Sequence, residues 1–196
     1  MAEKTRLRRE AIERRDAMAD RAGASRAVLQ RIEAMPEYGA AAVVSAFVGV
    51  GSEVETLSLI ERALGDRRRV AVPWVSGREL RLFDLRDAAE LAPAPFGLLE
   101  PPRELRADPA RSIEPATIDL FVVPGLAFDR SGGRLGHGRG YYDGLLARAR
   151  PGAFFVAAAF ECQLFETVPM EARDVRVHAI ATERALHRVA GRLPVR

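Results

Sequence analysis

The stretch Ile118–Arg148, "IDLFVVPGLAFDRSGGRLGHGRGYYDGLLAR", decides the fold. Ile118 to Pro124 is a nearly continuous apolar run, the pattern of a strand buried on both faces. It feeds a loop crowded with glycine and arginine, and the loop feeds Tyr141 to Arg150, which reads as a short helix. A loop that only turned the chain would need one or two glycines and no such charge. Strand, charged glycine loop and helix together point to a ligand site at the end of a buried strand.

The same alternation recurs on either side. Lys4 to Met18 carries Leu7, Ala11 and Ile12 at helical spacing, and a second helix is expected from Ser25 to Met35, stopped by Pro36. "AAVVSAFV" (Ala41–Val48) reads as a buried strand, and "GVGSEVET" as the loop after it. Val54 to Leu64 reads as a helix with Gly65 as its C-cap. "RVAVPWV" and the alternating "ELRLFDL" are strands, and the proline-rich stretch Pro93–Pro115 is irregular and placed to lie over a cleft. "AFFVAAAF", "VHAIATE" and "ALHRVA" complete the pattern. The expectation is an α/β fold with one domain over residues 1–196. Its sheet is open and mostly parallel with helices on both faces, giving three αβα layers. Ligands of such sheets sit beyond the carboxyl ends of the strands, which singles out the loops after Val48 and Val123.

Composition narrows the classes. With 196 residues, 48% of them hydrophobic and 29% charged, the chain suits one globular domain. It has no run of eighteen apolar residues, so no membrane span is expected, and its start is too charged for a secretory signal. The single cysteine, Cys162, excludes an intrachain disulfide, and the cytoplasm is the expected compartment. Net charge is only +3, acidic residues are interspersed, and aromatics do not alternate with basic residues. Those features point away from nucleic acid and leave small anionic ligands open.

Within the loop, Gly132, Gly133, Gly136, Gly138 and Gly140 let the backbone approach a ligand, successive N–H groups can face one anion, and Arg134 and Arg139 add charge. This is a phosphate cradle in chemical terms, with a flexible surface loop as the alternative. It is not a dinucleotide fingerprint, because Tyr141 stands where the third glycine belongs. Nor is it a Walker A loop, because Arg139 and Gly140 follow the Gly133–Gly138 spacing.

"VPGLAFDRSGGRLGHGRGYYD" (Val123–Asp143) resembles the signature of the 5-formyltetrahydrofolate cyclo-ligases, also called methenyltetrahydrofolate synthetases. Weaker matches follow the family's order: "EKTRLRRE", "GSEVET", "FGLLEP" and "PMEARDVRVHAIATE". The resemblance implies conversion of 5-formyltetrahydrofolate and ATP to 5,10-methenyltetrahydrofolate, ADP and phosphate, with Mg²⁺. A monomer is expected, and the resemblance leaves open whether folate polyglutamates are preferred. A non-catalytic relative that binds nucleotide or RNA, and an ATP-independent sugar-phosphate isomerase or CoA transferase, are the alternatives.

Residue by residue, the resemblance implies ATP contacts at Lys4, Arg8, Arg134, Leu135, Gly136, His137, Gly138, Arg139, Gly140, Tyr141 and Tyr142. It implies folate contacts at Val48, Glu53, Phe96 and the overlapping segment His137–Tyr141, with Arg134, Arg139 and Tyr141 as the catalytic set. Each has a plainer reading. Lys4 and Arg8 suit a solvated helix face, Val48 suits the core, Glu53 suits a helix N-terminus, and His137 suits a spacer or a stacking contact. Arg139 stands where many members have glycine. Mg²⁺ is expected on Asp143 and Asp174, with Asp129 structural. The family tail usually carries two aspartates four residues apart; here His178 takes the second position. Trp74 and Cys162 are assigned to packing.

Overall fold

Each central strand sends alternate residues to opposite faces, and the two faces bury separate cores. The computed structural model describes residues 2–97 and 99–190. In chain order the elements are α1 (Ala2–Asp16), α2 (Arg21–Glu33), α3 (Pro36–Ala40), β1 (Val43–Ala46), α4 (Leu57–Gly65), β2 (Arg69–Ser76) and β3 (Glu79–Leu85). The proline-rich segment holds β4 (Ala92–Pro93), β5 (Leu99–Glu100), α5 (Arg103–Arg106) and β6 (Ser112–Ile113). Then come β7 (Leu120–Val123), β8 (Ala127–Phe128), β9 (Arg134–Leu135), α6 (Tyr141–Leu146), β10 (Phe154–Ala158), β11 (Ala179–Ala181) and β12 (Leu186–Arg188).

The main sheet has the order β12-β11-β10-β7-β1-β2-β3-β6. Its middle is parallel, from β11 through β10, β7 and β1 to β2, and β12, β3 and β6 add antiparallel margins. Val44, Val70, Val72, Leu120, Val122, Val156 and Ala158 point to one face, where Val28, Leu29 and Ile32 of α2 and Leu59, Ile60 and Ala63 of α4 cover them. Ala71, Phe121, Val123, Phe155, Ala157 and Ile180 point to the other, covered by Leu145 and Leu146 of α6. This is the expected three-layer α/β architecture.

From β1 the chain moves one way to β2, and it later returns on the other side of β1 to lay down β7, then β10 and β11. The gap beyond the carboxyl ends of β1 and β7 is therefore the switch point, where loops diverge and leave a crevice. The first helix packs outside the two main cores. Leu7 and Ala11 of α1 bury against Leu126 and Ala127, Leu135 and Val168, so α1 lies along the hairpin of β8 and β9.

Several boundaries differ from the sequence reading. Pro36 does not merely stop α2; it occupies the first turn of α3, where a missing N–H costs nothing. Gly65 stays helical, and the left-handed residue after α4 is Arg67, with φ of 60°. The quoted glycine stretch divides in two. Gly132 and Gly133 belong to the turn of the β8–β9 hairpin, where a Cβ on Gly132 would lie 2.4 Å from the Val177 carbonyl oxygen and one on Gly133 would lie 2.5 Å from Asp129 Oδ2. They serve packing rather than the cradle, which is confined to residues 136–140.

Asp129 organises that turn. It is 2% exposed. Its Oδ1 accepts from the backbone N–H groups of Ser131 and Gly133, both at 2.9 Å, and from Ser131 Oγ at 2.6 Å. Its Oδ2 accepts from Val168 N at 2.7 Å. These bonds hold its carboxyl below the usual range against the opposing effect of burial.

Candidate active site

A cavity of about 940 Å³ opens at the switch point. Its apolar wall comes from the chain just beyond β1 (Phe47, Val48, Val50), the end of β2 (Pro73, Trp74, Val75) and Leu80 of β3. Its charged wall comes from Lys4 and Arg8 of α1, from Arg134 to Asp143, and from Glu171, Arg173 and Asp174. All but one of the residues implied for ATP, folate or metal line this one cavity: Lys4, Arg8, Val48, Glu53, Arg134, Leu135, Gly136, His137, Gly138, Arg139, Gly140, Tyr141, Tyr142, Asp143 and Asp174. The exception, Phe96, has a side chain outside the described residues.

The helix α1 resolves its two readings by face. Arg6, Arg9 and Arg14 pair along the surface with Glu10 and Glu13, the solvated pattern that contributes little to stability. Lys4 and Arg8 turn inward. Lys4 Nζ donates to Glu171 Oε1 at 2.9 Å and to Asp174 Oδ2 at 3.3 Å, and these hydrogen bonds and charges raise its pKa, partly offset by burial. Arg8 Nε donates to the Gly136 carbonyl oxygen at 2.9 Å and so holds α1 against the cradle.

In the cradle the backbone takes positive φ at Gly138 (99°) and Gly140 (68°), which a side chain would resist. Gly140 caps α6 in the left-handed conformation. At six residues α6 contributes little dipole of its own, so the cradle's positive field comes from side chains. Arg134 is 5% exposed, its Nη2 donates to Asp143 Oδ1 at 2.8 Å, and its guanidinium lies 5.7 Å from the Tyr142 ring centre. Its Nε is buried without a hydrogen-bond partner. Arg139 is exposed and approaches Tyr141, with Nη1 3.4 Å from the phenol oxygen. Burial pushes the Tyr142 phenol far up, so it remains protonated.

Glu53 does not sit in the first turn of α4, which begins after its N-cap, Thr56. Its Oε2 accepts from Val50 N at 3.2 Å within a turn. Burial pushes its carboxyl pKa up, offset in part by that bond and by the charges of Arg15 and His137. A half-buried carboxylate facing a cavity is suited to N–H donors of a flat heterocycle.

The carboxylates read as metal ligands are already engaged. Both hydrogen bonds to Asp143, from Arg134 and from Val175 N at 3.1 Å, end on Oδ1. Both hydrogen bonds to Asp174, from Lys4 and from Glu171 N at 2.8 Å, end on Oδ2. The remaining oxygen of each is the one a hard cation would take. No group of three or more metal-ligating side chains occurs among the described residues.

Two expectations gain detail. Trp74 packs against the core as read, and it also lines the cavity, where Arg106 stacks on its ring at 4.7 Å. Its place at the carboxyl end of a parallel strand was the available signal. His178 is not part of the cavity. Its Nδ1 accepts from Phe155 N at 2.9 Å, and its ring stacks on Phe154 at 4.9 Å. A carboxylate at this position would accept the same N–H. Glu171, also unassigned from sequence, shares Lys4 with Asp174.

Sheet order and cleft define the class, an open α/β protein with its site at the switch point of a parallel sheet. The chain belongs to the 5-formyltetrahydrofolate cyclo-ligase family, a family of enzymes, whose sequence pattern matches residues 1–183. It is 36% identical over 149 residues to the 5-formyltetrahydrofolate cyclo-ligase of Mycolicibacterium smegmatis, covering 73% of this chain and 75% of that protein. It is 33% identical over 153 residues to the mitochondrial enzyme of that name from Arabidopsis thaliana, covering 67% of this chain and 54% of that longer protein. The solution structure of 5,10-methenyltetrahydrofolate synthetase from Aquifex aeolicus superposes with a TM-score of 0.81 at 29% identity, covering 98% of this chain and 96% of that one.

Proposed function

We propose that this protein cyclises 5-formyltetrahydrofolate to 5,10-methenyltetrahydrofolate with hydrolysis of ATP. One observation carries the reading: a single cavity joins a cationic glycine cradle to an apolar wall bearing a half-buried carboxylate. The cradle suits a polyphosphate and the wall suits a pterin, side by side.

A formamide oxygen is a poor leaving group. Attack of that oxygen on the γ-phosphorus breaks the β–γ bond, releases ADP and leaves an imidate-like phosphate on the formyl carbon. The second folate amine then attacks the same carbon, the C–O bond breaks with phosphate as leaving group, and the amine proton departs. The product carries the charge of the N–C–N system. Such chemistry needs positioning and charge neutralisation more than covalent participation by the protein.

Lys4, Arg8, Arg134 and Arg139 neutralise phosphate charge, with the amides of residues 136–140 closing on the oxygens and Leu135, His137, Tyr141 and Tyr142 framing the nucleotide. Arg134, buried and fixed by Asp143, holds the γ-phosphoryl in line. Arg139 and Tyr141 face the oxygen that accepts it. Val48, Glu53, Phe96 and the backbone of 137–141 hold the folate. Asp143 and Asp174 would hold Mg²⁺, which when bound neutralises β- and γ-phosphate oxygens. Purified protein should form methenyltetrahydrofolate, followed by its absorbance, with one ADP per product. Product without ATP hydrolysis, or no product with any nucleotide, refutes the reading.

A further inference from the structure

The first helix touches both halves of the cleft. Lys4 and Arg8 line the cavity near its start, and Arg15 lies seven residues beyond Arg8, two turns on and on the same face. Lys4 and Arg15 stand about 16 Å apart along the helix axis. Arg15 is 6% exposed and does not line the cavity. Its Nε donates to Ser52 Oγ at 2.9 Å. Ser52 precedes Glu53, the acid of the apolar wall.

Arg6, Arg9 and Arg14 pair with Glu10 and Glu13 on their own helix, whereas Arg8 and Arg15 reach off it, Arg8 to the cradle and Arg15 to the loop before Glu53. Arg15 is buried, reaches across to another segment, and brings its charge close enough to favour the ionised form of Glu53. The loop it meets is anchored by packing at Val54, which is buried in the core beside Glu53, and has few hydrogen bonds from outside. Ser25 Oγ accepts from Glu55 N and Thr56 Oγ1 accepts from Gly49 N, both at 3.1 Å. Between those two points, Arg15 is, among the described residues, the side chain from outside the loop that hydrogen-bonds to it.

We propose that Arg15 is a positioning residue for the folate half of the site: by tethering Ser52 it fixes the turn that presents Glu53, and it sets affinity for the pterin without touching the nucleotide. The inference rests on the placement of folate against Glu53 proposed above. Three charged or titratable groups face Glu53: Arg15 from α1, His137 from the cradle and Tyr142 from α6. His137 and Tyr142 line the cavity and meet arriving ligands. Arg15 lies outside it and keeps its contact whatever the cavity holds. Without that cation a half-buried Glu53 takes up a proton more readily. A protonated Glu53 would present a donor to the N–H donors of the pterin.

Three variants test this: Arg15→Met, Arg15→Lys and Ser52→Ala. The Michaelis constants for the folate substrate and for ATP, the pH profile of kcat/KM and the melting temperature are measured for each. Arg15→Met should raise the folate KM about tenfold and leave the ATP KM within about twofold. It should also move the acid limb of the folate profile to higher pH. Ser52→Ala and Arg15→Lys should raise the folate KM by a smaller factor with the acid limb in place, because a cation remains. Equal losses for ATP and folate, or folded variants with unchanged folate KM and acid limb, overturn the proposal. If Arg15→Met does not fold, the other two decide on the folate-to-ATP split alone. A parent protein that turns over no 5-formyltetrahydrofolate overturns the functional reading and this inference with it. An active parent with unaffected variants overturns the inference alone.

Discussion

Arg8 Nε donates to the Gly136 carbonyl oxygen at 2.9 Å across 128 residues of sequence. The helix at the start of the chain and the glycine cradle are thereby one structural unit, although neither can be read as such alone. The same guanidinium occupies the space beside Gly138, where an added Cβ would lie 3.0 Å from Arg8 Nη2.

Gly138→Val therefore acts twice on the nucleotide side. It forces a β-branched residue to φ of 99° and displaces Arg8. Gly138 is exposed and contributes nothing to the core. The ATP affinity should fall by at least about tenfold, while the melting temperature moves by only a few degrees. Calorimetric titration with Mg-ATP beside a melting curve checks this. A variant that melts normally and binds ATP like the parent refutes the cradle.

Asp143, Asp174 and Asp129 separate metal binding from structure. Asp143→Asn and Asp174→Asn each weaken an oxygen that a hard cation would use, so each should raise the Mg²⁺ needed for half-maximal rate. Asp129→Asn replaces an acceptor-only carboxylate that holds four donors, and its amide NH₂ would face one of them. It should destabilise by about 1–3 kcal/mol with little change in Mg²⁺ dependence. Rate against Mg²⁺ and thermal melts for the three variants decide, and the reverse pattern would put the metal on Asp129.

The chain has one tryptophan, and it lines the cavity. Trp74 is stacked by Arg106, which Glu100 holds at 3.0 Å. An aromatic ligand entering the cavity changes the surroundings of that indole. Saturable quenching of emission is expected on titration with 5-formyltetrahydrofolate. An emission spectrum that stays constant while catalysis is saturated would place the folate away from Trp74.

The strands and the loops after Val48 and Val123 were legible because apolar runs such as Ile118–Pro124 encode burial on both faces, whereas the strand order that makes those loops the switch point was not. The glycines and charges of the loop were legible, but which of them line the cavity was not. Gly132 and Gly133 look like cradle residues in sequence, and only the closure of the hairpin by Asp129 assigns them to packing. The inward turn of Lys4 and Arg8 depends on α1 lying along that hairpin, a contact between segments more than a hundred residues apart. Trp74 packs against the core as its sequence suggests, but its second place, on the cavity wall, had no local signal beyond its position at the end of a strand. The role of Ser52 had no local signal, because its partner, Arg15, is 37 residues away.

His178 gives the fold an acid-sensitive point. Its Nδ1 must be unprotonated to accept from Phe155 N, and burial lowers its pKa below the ordinary 6.5, with Glu37 opposing. Glu37 is itself paired with Arg188, at 2.6 Å, which blunts that opposition. In the unfolded chain the imidazole takes up its proton near 6.5; in the folded protein it does so only at lower pH. Between those two values the unfolded state binds more protons, so stability falls as pH drops from about 6.5 towards the folded value and is flat for this group above it. The melting temperature should therefore decline as the pH falls below about 6.5, before most carboxylates titrate. His178→Asn keeps a side-chain acceptor for Phe155 N and removes the titration, so its melting temperature should decline less over the same interval. Parallel curves for parent and variant would show that another group sets the acid limit.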